Sequence, residues 1–224
     1  VDKKDDILLD RIKYYIETTD KPTFIVVHTY GSHFNYGERY PRSFAQFMPD
    51  NFSAIEVASR DNMVNAYDNS ILYTDYILHE IKTLLENSNR KSAMLYLSDH
   101  GEDIMDDSRH RFLHASPNPT YYQLRIPFIT WFSPEYIEQN QTKYDLVSEN
   151  KNNPVSSSVV FHTLLDIADI ETPFLEKQLS VASPEFSIQQ RMYLGDHDEP
   201  IHYTKTNLKE EDKVMLVKNR ISEY

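Results

Sequence analysis

Short, nearly continuous apolar runs alternate along this sequence with segments of helical periodicity. The apolar runs at residues 23–27, 93–98 and 126–132 are typical of strands that are covered on both faces. Residues 5–18 and 60–86 instead repeat their apolar positions about every 3.6 residues, which predicts amphipathic helices. This alternation predicts an α/β fold with a mostly parallel sheet flanked by helices.

The second half of the chain predicts further elements of both kinds. Ser133-Pro134-Glu135 has the sequence of a helix start, and the serines at 156–158 precede an apolar helical pattern that ends near Asp169. The polar residues 139–154 between them predict a surface excursion. Two late strands are predicted at residues 191–195 and 214–217.

Composition limits the class of protein. The 224 residues suit one α/β domain that covers residues 1–224, and a net charge of −12 disfavours nucleic acid as a partner. The chain contains no cysteine, which excludes thiolate metal ligands, cysteine nucleophiles and disulfide bonds within these residues. Because no apolar run approaches the roughly 20 residues of a membrane span, we expect this chain by itself to be soluble.

Glycine is scarce, and its few positions are informative. The chain has only four glycines, and two of them, Gly31 and Gly101, lie in segments that also carry histidine. Glycine at such places permits a positive φ or a close approach of the backbone. Gly31 also belongs to residues 29–58, which are rich in aromatic side chains and lack periodicity, so we predict a long ordered loop with a functional role there.

The chemically active side chains follow the predicted strands. His28 ends the first strand, and Asp99 and His100 end the second. Ligands of open α/β sheets bind at the carboxyl ends of the strands, so these residues should converge at one edge. With His33 and His114 from the loops, the edge would hold four imidazoles and one carboxylate, a donor set that suits zinc or manganese.

The sequence around these residues is more specific than the residues alone. The candidate residues lie in His28-Thr29-Tyr30-Gly31-Ser32-His33, Ser98-Asp99-His100-Gly101-Glu102 and Phe112-Leu113-His114-Ala115. Three further segments accompany them: Arg39-Tyr40-Pro41, residues 67–75 and Gln123-Leu124-Arg125-Ile126-Pro127-Phe128. In this order the segments resemble the sulfatase-like branch of the alkaline phosphatase superfamily, and within it the phosphoethanolamine transferases that modify lipid A and confer colistin resistance. The resemblance covers most of residues 5–170.

The resemblance implies a role for each matching residue. Asp99 and His100 match the family's ligands of the catalytic zinc, for which manganese, magnesium or calcium are alternatives. His33 and His114 match histidines that hold the phosphate group or a second metal ion. Glu102 and His28 are possible accessory residues of the same site.

The resemblance also implies the reaction. Members transfer phosphoethanolamine from phosphatidylethanolamine to lipid A or another envelope glycan through a threonine nucleophile, which in the family lies upstream of the His28 segment. We therefore expect the nucleophile and the first strands of the fold to be absent from this chain, and the chain alone to be inactive. Membrane helices at the N-terminus of the intact protein would anchor it in the inner membrane, with the catalytic domain in the periplasm.

Three other functions agree with the same residues. Sulfatases and phosphoglycerol transferases share the Asp-His-Gly end of the sheet and differ upstream. A non-catalytic binding module that holds a metal ion weakly is the alternative from another class.

Overall fold

The computed structural model describes residues 4–114, 119–194, 199–202 and 208–219. The chain divides into two compact units, the first formed by Val1–Arg90 with Ile104–Leu113 and the second by Lys91–Asp103 with His114–Tyr224. The single domain over residues 1–224 stays a prediction. None of the helices in the described ranges is both long enough and apolar enough to cross a bilayer.

Two helices and a long loop make up most of the first unit. Helix α1 spans Ile7–Thr18 and α2 spans Arg60–Asn87, which confirms both helix predictions. The loop between them contains only short 3₁₀ turns, at Tyr36–Glu38, Arg42–Phe44 and Val57–Ser59, as the missing periodicity predicts.

The predicted strand at residues 23–27 is wrong in the described structure. No strand is assigned there, and the side chains of Phe24 and Val26 are 74% and 76% exposed. Ile25 and Val27 are half-buried, so burial alternates as on a strand with one covered face. An apolar run signals burial, but a strand also requires a backbone partner, and no described segment pairs with these residues.

The core of the first unit lies along one face of α2. Met63 and Ala66, three residues apart on that face, are fully buried with Tyr36 from the loop and with Ile104 and Met105. This core explains why an aromatic-rich loop without regular structure is nevertheless ordered.

The second unit contains the longest strand pair. Strand β1 (Ala93–Leu97) pairs with β4 (Phe128–Phe132), so both predicted strands are confirmed. Their pairing is antiparallel, with Ala93 opposite Phe132 and Leu97 opposite Phe128, whereas the prediction was a mostly parallel sheet. Continuous apolar runs report burial on two faces and carry no information on strand direction. Elsewhere in the described ranges of both units, the strands are β2 (Asp103–Ile104), β3 (Phe112–Leu113), β5 (Met192–Leu194) and β6 (Pro200–His202).

Five α-helices of this unit precede or follow β4 in the described residues. They are α3 (Tyr121–Leu124), α4 (Pro134–Gln139), α5 (Gln141–Asn150), α6 (Val159–Ile167) and α7 (Glu210–Lys218). Ser133 caps α4 as predicted, because its Oγ accepts a hydrogen bond from the backbone N–H of Tyr136. The core of the unit combines buried side chains of β4 and of α4, α5 and α6 with Val181 and Ala182.

Three further predictions fall in this unit. Residues 139–154, predicted as a surface excursion, contain α5, whose Val147 packs into the core while most of its other residues are exposed or half-buried. Residues 214–217 lie in α7, where Leu216 is buried and Val214 and Val217 are exposed. Three acidic residues in the first turn and Lys218 in the last favour that helix. The predicted strand at 191–195 is confirmed as β5, and Gly195 lies outside the described residues.

A network of charges connects α6 with its neighbours. The buried Asp166 accepts a hydrogen bond from Lys177, 3.1 Å from its Oδ1, and Asp169 lies 2.6 Å from Lys143 and 3.2 Å from Lys91. Burial alone would raise the pKa of Asp166, but hydrogen bonds and the lysine charges outweigh it and lower that pKa. The hydrogen bond from Lys143 lowers the pKa of Asp169.

Acid is expected to remove the stabilisation that this network provides. A carboxyl whose pKa is lower in the folded chain stabilises fully above its unfolded pKa of about 3.9, and this contribution is lost as the pH falls through the folded pKa. We expect Asp166→Asn to melt at a lower temperature than wild type at neutral pH, and the difference to narrow between about pH 5 and about pH 3. The exposed Asp145→Asn is the control in thermal melts. A difference that stays constant over this range would contradict the prediction.

Candidate metal centre

The loop that follows β1 carries the predicted metal ligands. Asp99 is exposed, and its Oδ1 accepts a hydrogen bond of 3.0 Å from the backbone N–H of His100. Ser98 Oγ donates to the carbonyl of His100 at 2.7 Å. These two local bonds fix the loop conformation from which the His100 side chain projects.

Three side chains of the second unit form a cluster that can hold a metal ion. His100, Glu102 and His114 each offer one ligand atom, and these atoms lie within 4.8 Å of one another. Glu102 directly precedes β2 and His114 directly follows β3, and the two strands pair with each other. The strand pairing therefore brings together two residues that are twelve positions apart.

Hydrogen bonds orient both imidazole rings of the cluster. His100 Nδ1 lies 3.0 Å from the carbonyl oxygen of Gly101, and His114 Nδ1 lies 2.7 Å from Glu102 Oε1. A carbonyl and an ionised carboxylate only accept, so both Nδ1 atoms donate and both Nε2 atoms keep a free lone pair in the neutral ring. The rings are stacked, with centroids 3.6 Å apart. The arrangement presents two oriented imidazoles side by side.

The free nitrogen of His100 faces a carboxylate. Its Nε2 lies 3.7 Å from Asp99 Oδ2. Two ligand atoms on a tetrahedral zinc ion, each at about 2.1 Å from the metal, are about 3.4 Å apart. The Asp99–His100 pair could therefore hold one ion after a small adjustment, and Asp99 is exposed to solvent.

Tyr96 is a residue near the site that sequence reasoning missed. Burial raises the pKa of its phenol, and the negative charge of Asp99 raises it further. Its place inside the apolar run of β1 gave no signal of this interaction with Asp99.

The other two predicted histidines belong to the first unit. His33 is exposed, its Nδ1 lies 2.6 Å from the Phe34 carbonyl, and the described cluster does not include it. Asp5 holds the turn before it by accepting hydrogen bonds from the backbone N–H groups of Tyr30 and Gly31. Gly31 has a φ of +56°, as its predicted role allows. His28 is exposed. The functional roles of both histidines stay predictions.

Comparison with known proteins identifies relatives of this chain. The family model described as Sulfatase matches residues 2–170. The Kdo(2)-lipid A phosphoethanolamine 7''-transferase of Escherichia coli (strain K12) is 34% identical over 137 residues, or 60% of this chain and 23% of that protein. Phosphoethanolamine transferases called EptA match as well, and the chain spans about a quarter to a third of the length of such curated relatives.

Solved structures agree with these relatives. The C-terminal periplasmic domain of EcEptC from Escherichia coli in complex with Zn superposes with a TM-score of 0.81 at 25% identity, over 96% of this chain and 60% of that chain. The integral membrane protein lipooligosaccharide phosphoethanolamine transferase A (EptA) from Neisseria meningitidis gives 0.73 at 30% identity, over 79% and 34%. These matches confirm the expected α/β fold of the sulfatase type and the resemblance read from the motifs. This chain, matched over most of its length, belongs to the sulfatase family.

Proposed function

We propose that this chain is the C-terminal part of the catalytic domain of a metal-dependent phosphoethanolamine transferase. The intact enzyme would move phosphoethanolamine from phosphatidylethanolamine to lipid A or another envelope glycan. It would be anchored in the inner membrane, with this part in the periplasm. The observation that carries the proposal is the cluster of His100, Glu102 and His114 beside Asp99, in a chain similar to such transferases.

The donor set fits zinc better than the alternative ions. Imidazole nitrogens and carboxylate oxygens suit zinc, whereas magnesium and calcium prefer oxygen ligands alone, and manganese binds nitrogen more weakly. Asp99 Oδ2 and His100 Nε2 would hold the catalytic ion. His114 would hold the phosphate group or a second ion, and Glu102, which accepts a hydrogen bond from its Nδ1, would be an accessory residue of the site. A bound divalent cation supplies charge that polarises a phosphoryl oxygen and lowers the pKa of a coordinated hydroxyl.

The chain's own residues would bind and orient the transferred group. Glu102 accepts a hydrogen bond from His114 Nδ1, which would fix the orientation of the ring toward the transferred group. The roles that the resemblance implies for His33 and for His28, as an accessory residue, stay predictions. The threonine nucleophile is expected outside these residues.

Zinc titration of the chain tests the metal centre. We expect wild type to bind zinc with an affinity below that of a closed structural site, because solvent or substrate completes the coordination. His100→Asn and Glu102→Gln should weaken binding about 10- to 100-fold, which calorimetry measures. His79→Asn, which replaces an exposed histidine of α2, is the control. Equal affinity in all four proteins would contradict the assignment.

The same substitutions in the intact protein test the reaction. With a labelled phosphatidylethanolamine donor, His100→Asn should stop label transfer to lipid A, and the 224-residue chain alone should take no covalent label. Hydrolysis of aryl sulfate esters without label transfer would indicate a sulfatase instead. Transfer of glycerol phosphate would indicate a phosphoglycerol transferase, and zinc binding with neither reaction a binding module.

A further inference from the structure

Glu102 lies between two residues that are fixed to the same short helix. On one side, the backbone N–H of Gly101 donates a 2.9 Å hydrogen bond to the carbonyl of Gln123 in α3. On the other side, Asp103 is 3% exposed and directs its carboxylate at α3. Anchoring on both sides leaves the backbone of Glu102 little freedom.

The carboxylate of Asp103 is bound at both oxygens. Thr120 Oγ1 donates to Oδ1 at 2.6 Å, and Gln123 Nε2 donates to Oδ2. Thr120 and Gln123 are 0% and 6% exposed, so the three side chains form a buried polar network. A buried carboxylate is costly unless it is hydrogen-bonded, and apolar packing would fill the space at lower cost. What this network provides is a fixed position for the residue next to Glu102.

The helix that receives these bonds is itself held at its first turn. Asp212 of α7, 0% exposed, accepts a 2.8 Å hydrogen bond from the backbone N–H of Tyr121 through Oδ1. Its Oδ2 accepts from the backbone N–H of Lys209. Buried polar contacts therefore continue from α7 through α3 to the loop that carries Glu102.

We infer that Asp103, Gln123 and Thr120 are positioning residues of the metal centre, which hold Glu102 where it orients His114. The inference rests on the proposed function, because it assigns these residues to the metal site of that proposal. It is independent of which phosphorylated or sulfated substrate the intact protein uses.

An exchange of the two hydrogen-bonding partners tests the inference. Asp103→Asn places an amide N–H group opposite the amide of Gln123, and Gln123→Glu places two carboxylates opposite each other. The double variant with both substitutions restores a donor facing an acceptor, and it keeps the acceptor for Thr120. We expect each single variant to bind zinc about 10- to 100-fold more weakly than wild type, and the double variant to recover most of the loss.

A second readout follows the orientation of His114 without metal. In nitrogen NMR spectra of the metal-free chain, the single variants should lose the signature of an Nδ1–H bound to a carboxylate, and the double variant should regain it. The control is an equivalent exposed pair on α5, where Gln141 Nε2 donates to Asp145 Oδ1 at 2.8 Å. Gln141→Glu and Asp145→Asn should leave both readouts unchanged.

The outcomes separate this inference from the proposed function. The inference is overturned if folded Asp103→Asn has the zinc affinity and the His114 signals of wild type. It is also overturned if the folded double variant restores neither the zinc affinity nor the His114 signals. If wild type binds no zinc, the proposed metal centre fails, and the metal-free NMR readout still decides the positioning role. If an Asp103 variant does not fold, Thr120→Val removes one of the two bonds with a side chain of similar shape and gives the same readouts.

Discussion

Gly101→Ala is expected to lower the free energy of unfolding by about 3 kcal/mol and to weaken zinc binding strongly. A Cβ at this position would lie 2.0 Å from the carbonyl oxygen of Tyr122 and 3.3 Å from that of Arg125. Both atoms belong to the backbone, so no side-chain rotation relieves the overlap. The loop must instead move away from α3, which breaks the hydrogen bond from Gly101 to Gln123 and displaces the flanking His100 and Glu102.

Gly37→Ala is the matched control for this substitution. Its added Cβ would meet the nearest side-chain atom, Asn35 Oδ1, at 4.0 Å, which is an ordinary contact. Urea unfolding and zinc calorimetry on both variants measure the effect, and Gly37→Ala should change neither by much. If Gly101→Ala is as stable as wild type and binds zinc equally well, the loop can move away from α3 without loss. That result would contradict the claim that the loop must stay packed on α3.

Asn69→Ala is expected to lower the free energy of unfolding by about 3 to 5 kcal/mol. Asn69 is 0% exposed on α2, and its Oδ1 accepts hydrogen bonds from the backbone N–H groups of Gln46 and Phe47, each at 2.9 Å. Its Nδ2 donates to the carbonyl of Phe47 at 2.9 Å and approaches the hydroxyl of Tyr40 and the carboxylate of Asp50. Alanine leaves several of these groups without a partner.

The surroundings of Asn69 make the loss hard to compensate. Tyr40 and Asp50 are 2% and 4% exposed and share a 2.6 Å hydrogen bond. Burial, with the hydrogen bond to Asp50, raises the pKa of Tyr40 to about 12, so its hydroxyl remains a donor. Water therefore has little access to the backbone groups of Gln46 and Phe47 that lose their hydrogen-bonding partner in Asn69→Ala, and it cannot replace the lost bonds.

Asn65→Ala, one turn earlier on α2, is the control. Its Nδ2 makes a single 2.8 Å hydrogen bond to the carbonyl of Pro49 at an exposed place, and its loss should cost less than about 1 kcal/mol. Chemical unfolding of both variants measures the difference. Equal, small losses would mean that the loop is held by its aromatic contacts and not by Asn69.

Local patterns predicted the elements whose formation depends on nearby residues. The periodicity of α1 and α2, the apolar runs of β1 and β4 and the serine cap of α4 are all confirmed. Local patterns gave wrong secondary structure where contacts with a distant part of the chain decide it. The run at 23–27 has no paired strand in the described residues, and the short apolar run at 214–217 is one turn of α7. Four apolar residues cannot distinguish a strand from a helical turn.

The motifs named the residues of the candidate cluster and not its geometry, and they also named His33 and His28, which the described cluster does not include. The motifs named His100, Glu102 and His114 together with Asp99, and the structure places the first three in one cluster. The same motifs gave no hint that Glu102 accepts from His114 Nδ1, because a hydrogen bond depends on how two strands align.

The sequence by itself determined which chemical groups are available and which segments bury them. The absence of cysteine excludes thiolate ligands, and the Asp-His-Gly-Glu segment offers imidazole and carboxylate ligands to a metal ion. Only the tertiary structure decided that Asp103 turns to Thr120 and Gln123 instead of to the metal, although it is a carboxylate adjacent to Glu102. Neighbouring side chains on an extended backbone point in opposite directions, and the partners on each side come from distant parts of the chain.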